Sequence, residues 1–345
     1  MTNAAVLLYT MRCNINCAHC SVDSHPHRDE RMDLQTAIRL VEGLADEPGI
    51  DFIDISGGEP MLFRRELLTL ARVAKKGGKS LRIVSNGFWA RSAQRAAAIL
   101  AELCEAGVSS VGLSIDVWHL DHLDPRLVRH YLDGCRAIGM QPLLSGVLDG
   151  SNLSYTDPFP AQLEELLARY GLGRKECVDL YTWAQYRARL DPADLPEFDR
   201  VSSQQFVLVA WQPLTGEGRA VNLAVATKPF NGSAPEPCAA AGELPTIDEA
   251  GRLFPCCAPW ISRKNRSVTT VADGAMGAAL RALRADPLVK VIHDRGPQVL
   301  IEHLRAKGIE FPEEHSGICN QCGMLLDRVE MTELRQAAVQ ILAAT

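Results

Sequence analysis

From Ala4 to about Gly150, short apolar runs of β-type composition alternate with segments whose apolar residues recur at helical spacing. Strands are predicted at Ala5–Tyr9, Phe52–Ser56, Leu81–Ser85, Val111–Ile115 and Pro142–Val147, and helices at Leu34–Ala45, Arg65–Lys76, Ser92–Ala106 and Arg126–Ile138. Gly77-Gly78 and Gly107 stand where the second and third helices should stop, since glycine tolerates the left-handed backbone that closes many helices. A longer and less regular stretch, Ser151–Ser203, holds one predicted helix at Ala161–Tyr170, and a sixth strand is predicted at Phe206–Trp211. Alternation of this kind builds a parallel sheet with crossover helices, here of about six β/α units.

The pattern then breaks. Lys228–Pro237 is rich in Gly, Pro, Ser and Asn and reads as a linker, dividing the chain into an α/β domain over residues 1–227 and a smaller domain over 228–345. The second domain should open with a hairpin around Asp248–Gly251, continue through helices near Ala275–Ala285 and Pro297–Ala306, and close with Met331–Ala343. Composition agrees with a folded protein of this kind: 47% of the 345 residues are hydrophobic and 23% charged. The formal net charge is -6, and no Lys/Arg run is long enough to track a phosphate backbone, so nucleic acid is not an expected partner. Met1–Thr10 lacks a basic signal-peptide start, and no apolar run approaches the ~20 residues of a membrane helix, so a cytoplasmic protein without membrane contact is expected.

Eleven cysteines change the picture. In a reducing compartment metal binding is a better first explanation for them than disulfides. Eight fall into two groups, Cys13/Cys17/Cys20 and Cys238/Cys256/Cys257/Cys319/Cys322, leaving Cys104, Cys135 and Cys177 isolated. Cys104 and Cys135 lie in helical patterns beside apolar residues and are expected to be small buried hydrophobes. Cys13, Cys17 and Cys20 form C-x3-C-x2-C directly after the first strand. Three thiolates on one short loop can take three corners of a cubane iron–sulfur cluster and leave the fourth iron open to a small molecule. The alternative is a zinc site completed by His19, His25 or His27, although structural zinc prefers paired C-x2-C spacings and rarely takes three ligands from so short a span.

At these residues the sequence resembles the radical S-adenosylmethionine (SAM) superfamily, which carries the same motif in the first strand–helix loop of a partial (β/α)6 barrel. Gly57-Gly58-Glu59-Pro60 follows the second strand and matches the family's GGEP motif, whose backbone and carboxylate hold the SAM amino group. Chemically this is reasonable, because glycines allow close backbone approach and a carboxylate pairs with an ammonium. Ser85-Asn86-Gly87 and Ser114-Ile115-Asp116 end the third and fourth strands as similar family segments do, and Ser145 stands on the fifth. Gly218-Arg219-Ala220 follows the sixth strand, as a G-R-A step does in members bearing a C-terminal cluster domain. The resemblance thus runs from Ala4 to Ala220. It implies a [4Fe-4S] cluster on Cys13, Cys17 and Cys20, SAM contacts from His19 and the residues just named, and an electron donor such as flavodoxin or ferredoxin. It also implies reductive cleavage of SAM to a 5′-deoxyadenosyl radical that takes hydrogen from a substrate carbon.

Seventeen residues separate Cys238 from Cys256, and Cys319 and Cys322 form C-x2-C about sixty residues later. Gly251–Cys256 resembles the G-x4-C hairpin of SPASM and twitch domains, which favours Cys256 over Cys257 as a ligand. SPASM domains use seven cysteines for two clusters, whereas this chain has enough for one and departs toward the twitch arrangement, similar to that of a dehydrogenase oxidising an aminocyclitol alcohol. A four-cysteine zinc ribbon is the alternative. An auxiliary [4Fe-4S] cluster held by Cys238, Cys256, Cys319 and Cys322 would have no corner free for substrate. Its expected task is to accept an electron from the substrate radical, which permits a net oxidation such as a dehydrogenation or a crosslink.

Trp118 and His119 follow Asp116 at the expected barrel mouth, where His119 is a candidate base and Trp118 a candidate wall, with Trp211 a second. Two substrate classes remain open: a ribosomally made precursor peptide, and a small intermediate such as a sugar or aminocyclitol. The first strand lies so near the start that no N-terminal leader-binding domain is expected, which weakens the peptide reading, while Ser151–Ser203 could shape a peptide groove. A non-catalytic metal-binding scaffold is the third class.

Overall fold

The computed structural model describes residues 4–148, 153, 157–223, 237–256, 260, 263–271, 274–313 and 317–344. Residues 228–236 of the expected linker, and Cys257, lie outside the described residues. Every residue of β1 (Ala4–Thr10) is buried, because it has neighbours on both edges and helices over its face. After it come α1 (Leu34–Ala45), β2 (Phe52–Gly57), α2 (Arg64–Lys76), β3 (Ser80–Ser85), α3 (Ala93–Ala106) and β4 (Val108–Ile115). The chain continues through α4 (Val117–Leu120), α5 (Arg126–Ile138), β5 (Leu143–Leu148), α6 (Ala161–Arg169), β6 (Cys177–Asp179), α7 (Leu180–Arg187), α8 (Leu195–Gln205) and β7 (Val207–Pro213).

Strands β1, β2, β3, β4, β5 and β7 lie side by side, all parallel. The described sheet has two ends and does not close, so the architecture is the expected α/β partial barrel of six parallel strands. The predicted sixth strand is seventh in chain order, because the short β6 precedes it and adds to its outer edge in parallel. Three residues are too few to display an alternation, so β6 gives no sequence signal. Helix α7 was hidden for a related reason: none of its residues is buried, so it has no apolar face to detect.

The C-terminal chain supplies β8 (Thr246–Ile247), β9 (Arg252–Phe254), β10 (Thr269–Thr270) and helices α9 (Met276–Ala285), α10 (Pro287–Arg295), α11 (Pro297–Arg305), α12 (Ile318–Arg328) and α13 (Met331–Ala343). The expected hairpin is β8–β9, turning through Asp248–Gly251. Strand β8 pairs with β1 in parallel, Val6 opposite Thr246 and Leu7 opposite Ile247, so the sheet runs on from the barrel into this region. Helix α9 rests on α1, and Gly43 makes that approach possible: a Cβ there would lie 3.0 Å from Met276 Cβ. Helices α10 and α12 were not anticipated.

Within the barrel, α3 and α5 pack closely because Gly134 faces Ala96, where an added Cβ would come within 2.8 Å. From α5 the Tyr131 hydroxyl donates to Val111 O at 2.5 Å and accepts from Leu143 N at 3.0 Å, bridging β4 and β5 inside the core. Removing that oxygen strands two buried backbone groups. Tyr131→Phe is expected to cost about 1–3 kcal/mol of stability, read by urea unfolding, whereas Tyr181→Phe at an exposed site should change it by less than about 0.5 kcal/mol.

Candidate functional site

The C-terminal ends of the parallel strands surround a cavity of about 370 Å3. Into it the structure brings Cys13, Cys17, His19 and Cys20 from the loop after β1, Gly57, Gly58 and Glu59 after β2, Ser85 and Asn86 after β3, and Ser114, Asp116, His119 and Ser145. Ser56, Gln212, Thr215 and Arg219, which sequence reasoning did not single out as site residues, line it too. Pro60 is buried beside it as the first residue of a short 3-10 turn, Pro60–Phe63.

The cysteine loop lies against the turn after β2. Gly58 N donates to Thr10 O at 2.6 Å and Glu59 N to Arg12 O at 2.8 Å. Only glycine fits there, because a Cβ on Gly57 would sit 2.2 Å from Thr10 O and one on Gly58 2.0 Å from Arg12 O. Gly57 also has φ +123°, in the region that favours glycine. The Glu59 carboxylate is buried and accepts from Met61 N (3.0 Å), Ser85 Oγ (2.9 Å) and Asn86 N (2.7 Å). Burial still pushes its pKa up to about 7 against those hydrogen bonds. Ser85 Oγ in turn accepts from Gly87 N and Trp89 Nε1. Glu59 and Ser85 therefore bind two turns together, while the hydroxyls of Ser56, Ser114 and Ser145 have no hydrogen-bond partner among the described residues.

On the far side of the loop stands Arg219. Its guanidinium donates to Cys17 O (3.0 and 2.8 Å), Ser24 O (2.7 Å) and Asp23 Oδ1 (2.7 Å), and its backbone N to Cys20 O (3.0 Å). Gly218 has φ +58° and passes so near the loop that a Cβ would lie 2.4 Å from Cys20 O. This accounts physically for the Gly218-Arg219 pair.

Asp116 is almost wholly buried. It accepts His119 N (2.8 Å) and His119 Nδ1 (2.7 Å), and lies 3.2 Å from His19 Nε2. Burial raises its pKa, but the hydrogen bonds and charges of the two histidines outweigh that and hold the carboxyl below the usual range. With Nδ1–H of His119 donating to Asp116, Nε2 carries the lone pair in the neutral ring. His19 stacks on Trp118 at 4.8 Å, and its Nδ1 is buried without a partner among the described residues. Trp211 is half-buried, donates to Pro158 O and does not line the cavity.

Burial, then neighbouring carboxylates and thiols, pushes the Cys13 thiol up to about 11 and raises Cys17 well beyond its ordinary value. A bound metal cation would favour their ionised form. The converging sulfurs, the orphaned His19 Nδ1 and the three unpartnered hydroxyls fit a cluster with a polar organic ligand beside it. Cys319 and Cys322 lie on α12, and Cys319 also lines the cavity. Burial first, and the thiols of Cys238 and Cys319 next, push Cys322 far up. Cys256 follows β9, and Gly242 N donates to the adjacent Pro255 O at 2.9 Å, tying it to the turn that begins at Cys238. Of the isolated cysteines, Cys135 is buried as expected, but Cys104 is exposed, because it falls on the solvent side of α3.

Arg219→Gln removes donors from two loop carbonyls and is expected to weaken the loop by about 2 kcal/mol, about 30-fold faster amide exchange across Cys17–Ser24 with β1 and β4 unchanged. Hydrogen-exchange mass spectrometry reads this directly.

Residues 7–137 match the Radical SAM superfamily. Over 325 residues the chain is 21% identical to the putative peptide biosynthesis protein YydG of Bacillus subtilis, covering 92% of this chain and 90% of that one. It is 28% identical over 262 residues to the PqqA peptide cyclase of a Methylobacterium, covering 72% and 64%, and 27% identical over 227 residues to the GTP 3′,8-cyclase of Geobacter sulfurreducens, covering 62% and 60%. Among solved structures, SuiB of Streptococcus suis bound to S-adenosylmethionine aligns over 87% of this chain and 70% of that one, at 16% identity and a TM-score of 0.47. The matched segment begins inside β1 and ends inside α5, and so contains both the cysteine loop and the glycine turn that seats it: the part of the chain that builds this site matches a radical SAM domain.

Proposed function

We propose that this radical SAM enzyme modifies a ribosomally made precursor peptide by a net oxidation, such as formation of a crosslink. The observation that carries the reading is the end-to-end likeness to a protein named for peptide biosynthesis, which continues well beyond the barrel, together with the likeness to a peptide cyclase. Cys13, Cys17 and Cys20 would hold one [4Fe-4S] cluster, and Cys238, Cys256, Cys319 and Cys322 a second. When bound, the first would supply the electron for reductive cleavage of SAM, and the second would be available to take up an electron from the substrate.

The chain's own residues divide the remaining work. Ser56, Ser114 and Ser145 offer hydroxyls not committed to the protein, suited to a ligand rich in hydroxyl and carboxylate groups. Buried Asp116 stays ionised and fixes the ring of His119, whose Nε2 then accepts the proton that an oxidation must shed. Leu8, Ile15, Val147 and Leu214 form apolar wall of the same cavity, which limits water near a reactive radical.

Anaerobic reconstitution is expected to give about eight irons per chain, falling to about four in Cys13→Ala/Cys17→Ala and in Cys322→Ala. The first variant should lose release of 5′-deoxyadenosine from SAM, and the second should keep it while losing the oxidised peptide. Retention of peptide oxidation in a Cys322→Ala protein that has lost its second cluster contradicts the electron-acceptor role. His119→Gln is expected to lower product formation about 100-fold while deoxyadenosine release continues, with mass spectrometry following both products.

A further inference from the structure

A second concavity, of about 470 Å3, shares no lining residue with the first. Its walls come from the turn after β2 and the turn after β3, with Leu62, Phe63, Phe88 and Trp89 forming the apolar floor and Arg65 and Arg95 the rim. Both walls are tied within two residues to the cysteine loop. Phe88 N donates to Asn86 Oδ1 at 3.1 Å, and Asn86 Nδ2 donates to Asn14 Oδ1 at 2.9 Å and approaches Cys13 Sγ at 3.8 Å. On the other wall Met61 N donates to Glu59, whose own N donates to Arg12 O.

The charge here is opposite to that of the protein as a whole. Its lining carries Arg64, Arg65 and Arg95 against one glutamate, Glu66, in a chain of net charge -6. The acidic residues nearby are already engaged: Glu66 with Arg31 and Tyr9, and Glu102 with Arg64. Arg65, Arg91 and Arg95 are exposed and have no acidic partner among the described residues. A cationic rim around aromatic residues, close behind Cys13, suits an acidic protein that delivers single electrons, because charge complementarity steers docking and short distance favours transfer. A substrate peptide would instead have to reach the separate cavity that the cysteine loop lines.

We infer that this groove docks a small acidic one-electron carrier protein, which is oxidised by one electron as it supplies the cluster site at Cys13, Cys17 and Cys20. The inference rests on the proposed cluster at those cysteines. Its test uses the reconstituted full chain and the double variant R65E/R95E, with R65Q/R95Q as a milder pair. Binding of oxidised flavodoxin by calorimetry should weaken about tenfold or more in R65E/R95E and less in R65Q/R95Q, and the difference should shrink in ~0.5 M salt. Deoxyadenosine release driven by dithionite should be unchanged in both variants, while release driven by reduced flavodoxin should need about tenfold more carrier. Unchanged flavodoxin binding and unchanged carrier demand overturn the inference. So does loss of precursor-peptide binding with carrier binding intact, which assigns the groove to the substrate. Absence of dithionite-driven release in the unmodified protein refutes the cluster reading itself, a separate failure.

Discussion

The cysteine loop has no regular secondary structure, so its shape comes from what grips it. On one side Gly57 and Gly58 let the turn after β2 come within hydrogen-bonding distance of Thr10 and Arg12, at a separation no other residue type allows. On the other, Arg219 collects three oxygens of the loop and Gly218 removes the side chain that would hold the backbone away. Thiols on a freely moving loop would meet around a metal only at the cost of ordering the whole segment. Here Gly57 and Gly58 on one side and Gly218 and Arg219 on the other hold the segment in place. The parallel sheet contributes by fixing β1, β2 and the exit from β7 relative to one another.

Electrostatics at the cavity follows from the same crowding. Buried carboxyls at Glu59 and Asp116 stand beside thiols that burial keeps neutral, an arrangement with a surplus of groups ready to become anions. The two carboxyls resolve this differently. Glu59 is surrounded by neutral donors and its pKa is pushed up to about 7, whereas Asp116 has two imidazoles and stays ionised. The site thus separates a carboxyl whose hydrogen bonds brace the turns from one whose charge orients a histidine. A bound cation would lower the cost of every anion around it, which is why the cavity suits a metal cluster better than it suits a neutral ligand alone.

Much of this was legible in the sequence, and the gaps have physical causes. Leu34–Ala45, Arg126–Ile138 and Met331–Ala343 have the predicted ends because each carries an apolar face against the core, and Gly139 closes the second. Six parallel strands and the motif residues at their ends were found because each reads as a short β-type apolar run bounded by turn residues, whether buried throughout as β1 is or on alternate residues as β2, β3 and β5 are. Helix α7 and strand β6 were missed because one has no buried face and the other is three residues long. At the site, Cys13, Cys17 and Cys20 announce themselves by spacing. Ser85 and Glu59 were expected to meet a ligand, and the structure shows their hydrogen bonds spent largely on bracing two turns, which a sequence cannot reveal because it does not show which hydroxyls already have partners. Ser56, Gln212 and Thr215 escaped notice since a lone polar residue at a strand end looks like any other strand cap.

The short segment that leaves β7 ties the two cysteine groups together. Arg219 holds the loop of Cys13, Cys17 and Cys20, and two residues earlier Glu217, itself buried, pairs with Arg263 at 2.5 Å. Arg263 makes two hydrogen bonds to Asp327 on α12, the helix of Cys319 and Cys322. Gly323, next to Cys322, leaves room for the Glu217 carboxylate, since a Cβ there would lie 2.6 Å from Glu217 Oε1. A buried ion pair of this kind contributes little net stability, but removing one member leaves an uncompensated charge, so it fixes position more than it adds energy. The separation between the two cysteine groups is therefore set by adjacent side chains on one turn of backbone, and a shift of α12 would be felt at the loop after β1. Cys319 lines the same cavity as Cys13, so that separation also fixes one wall of the space in which a substrate would lie.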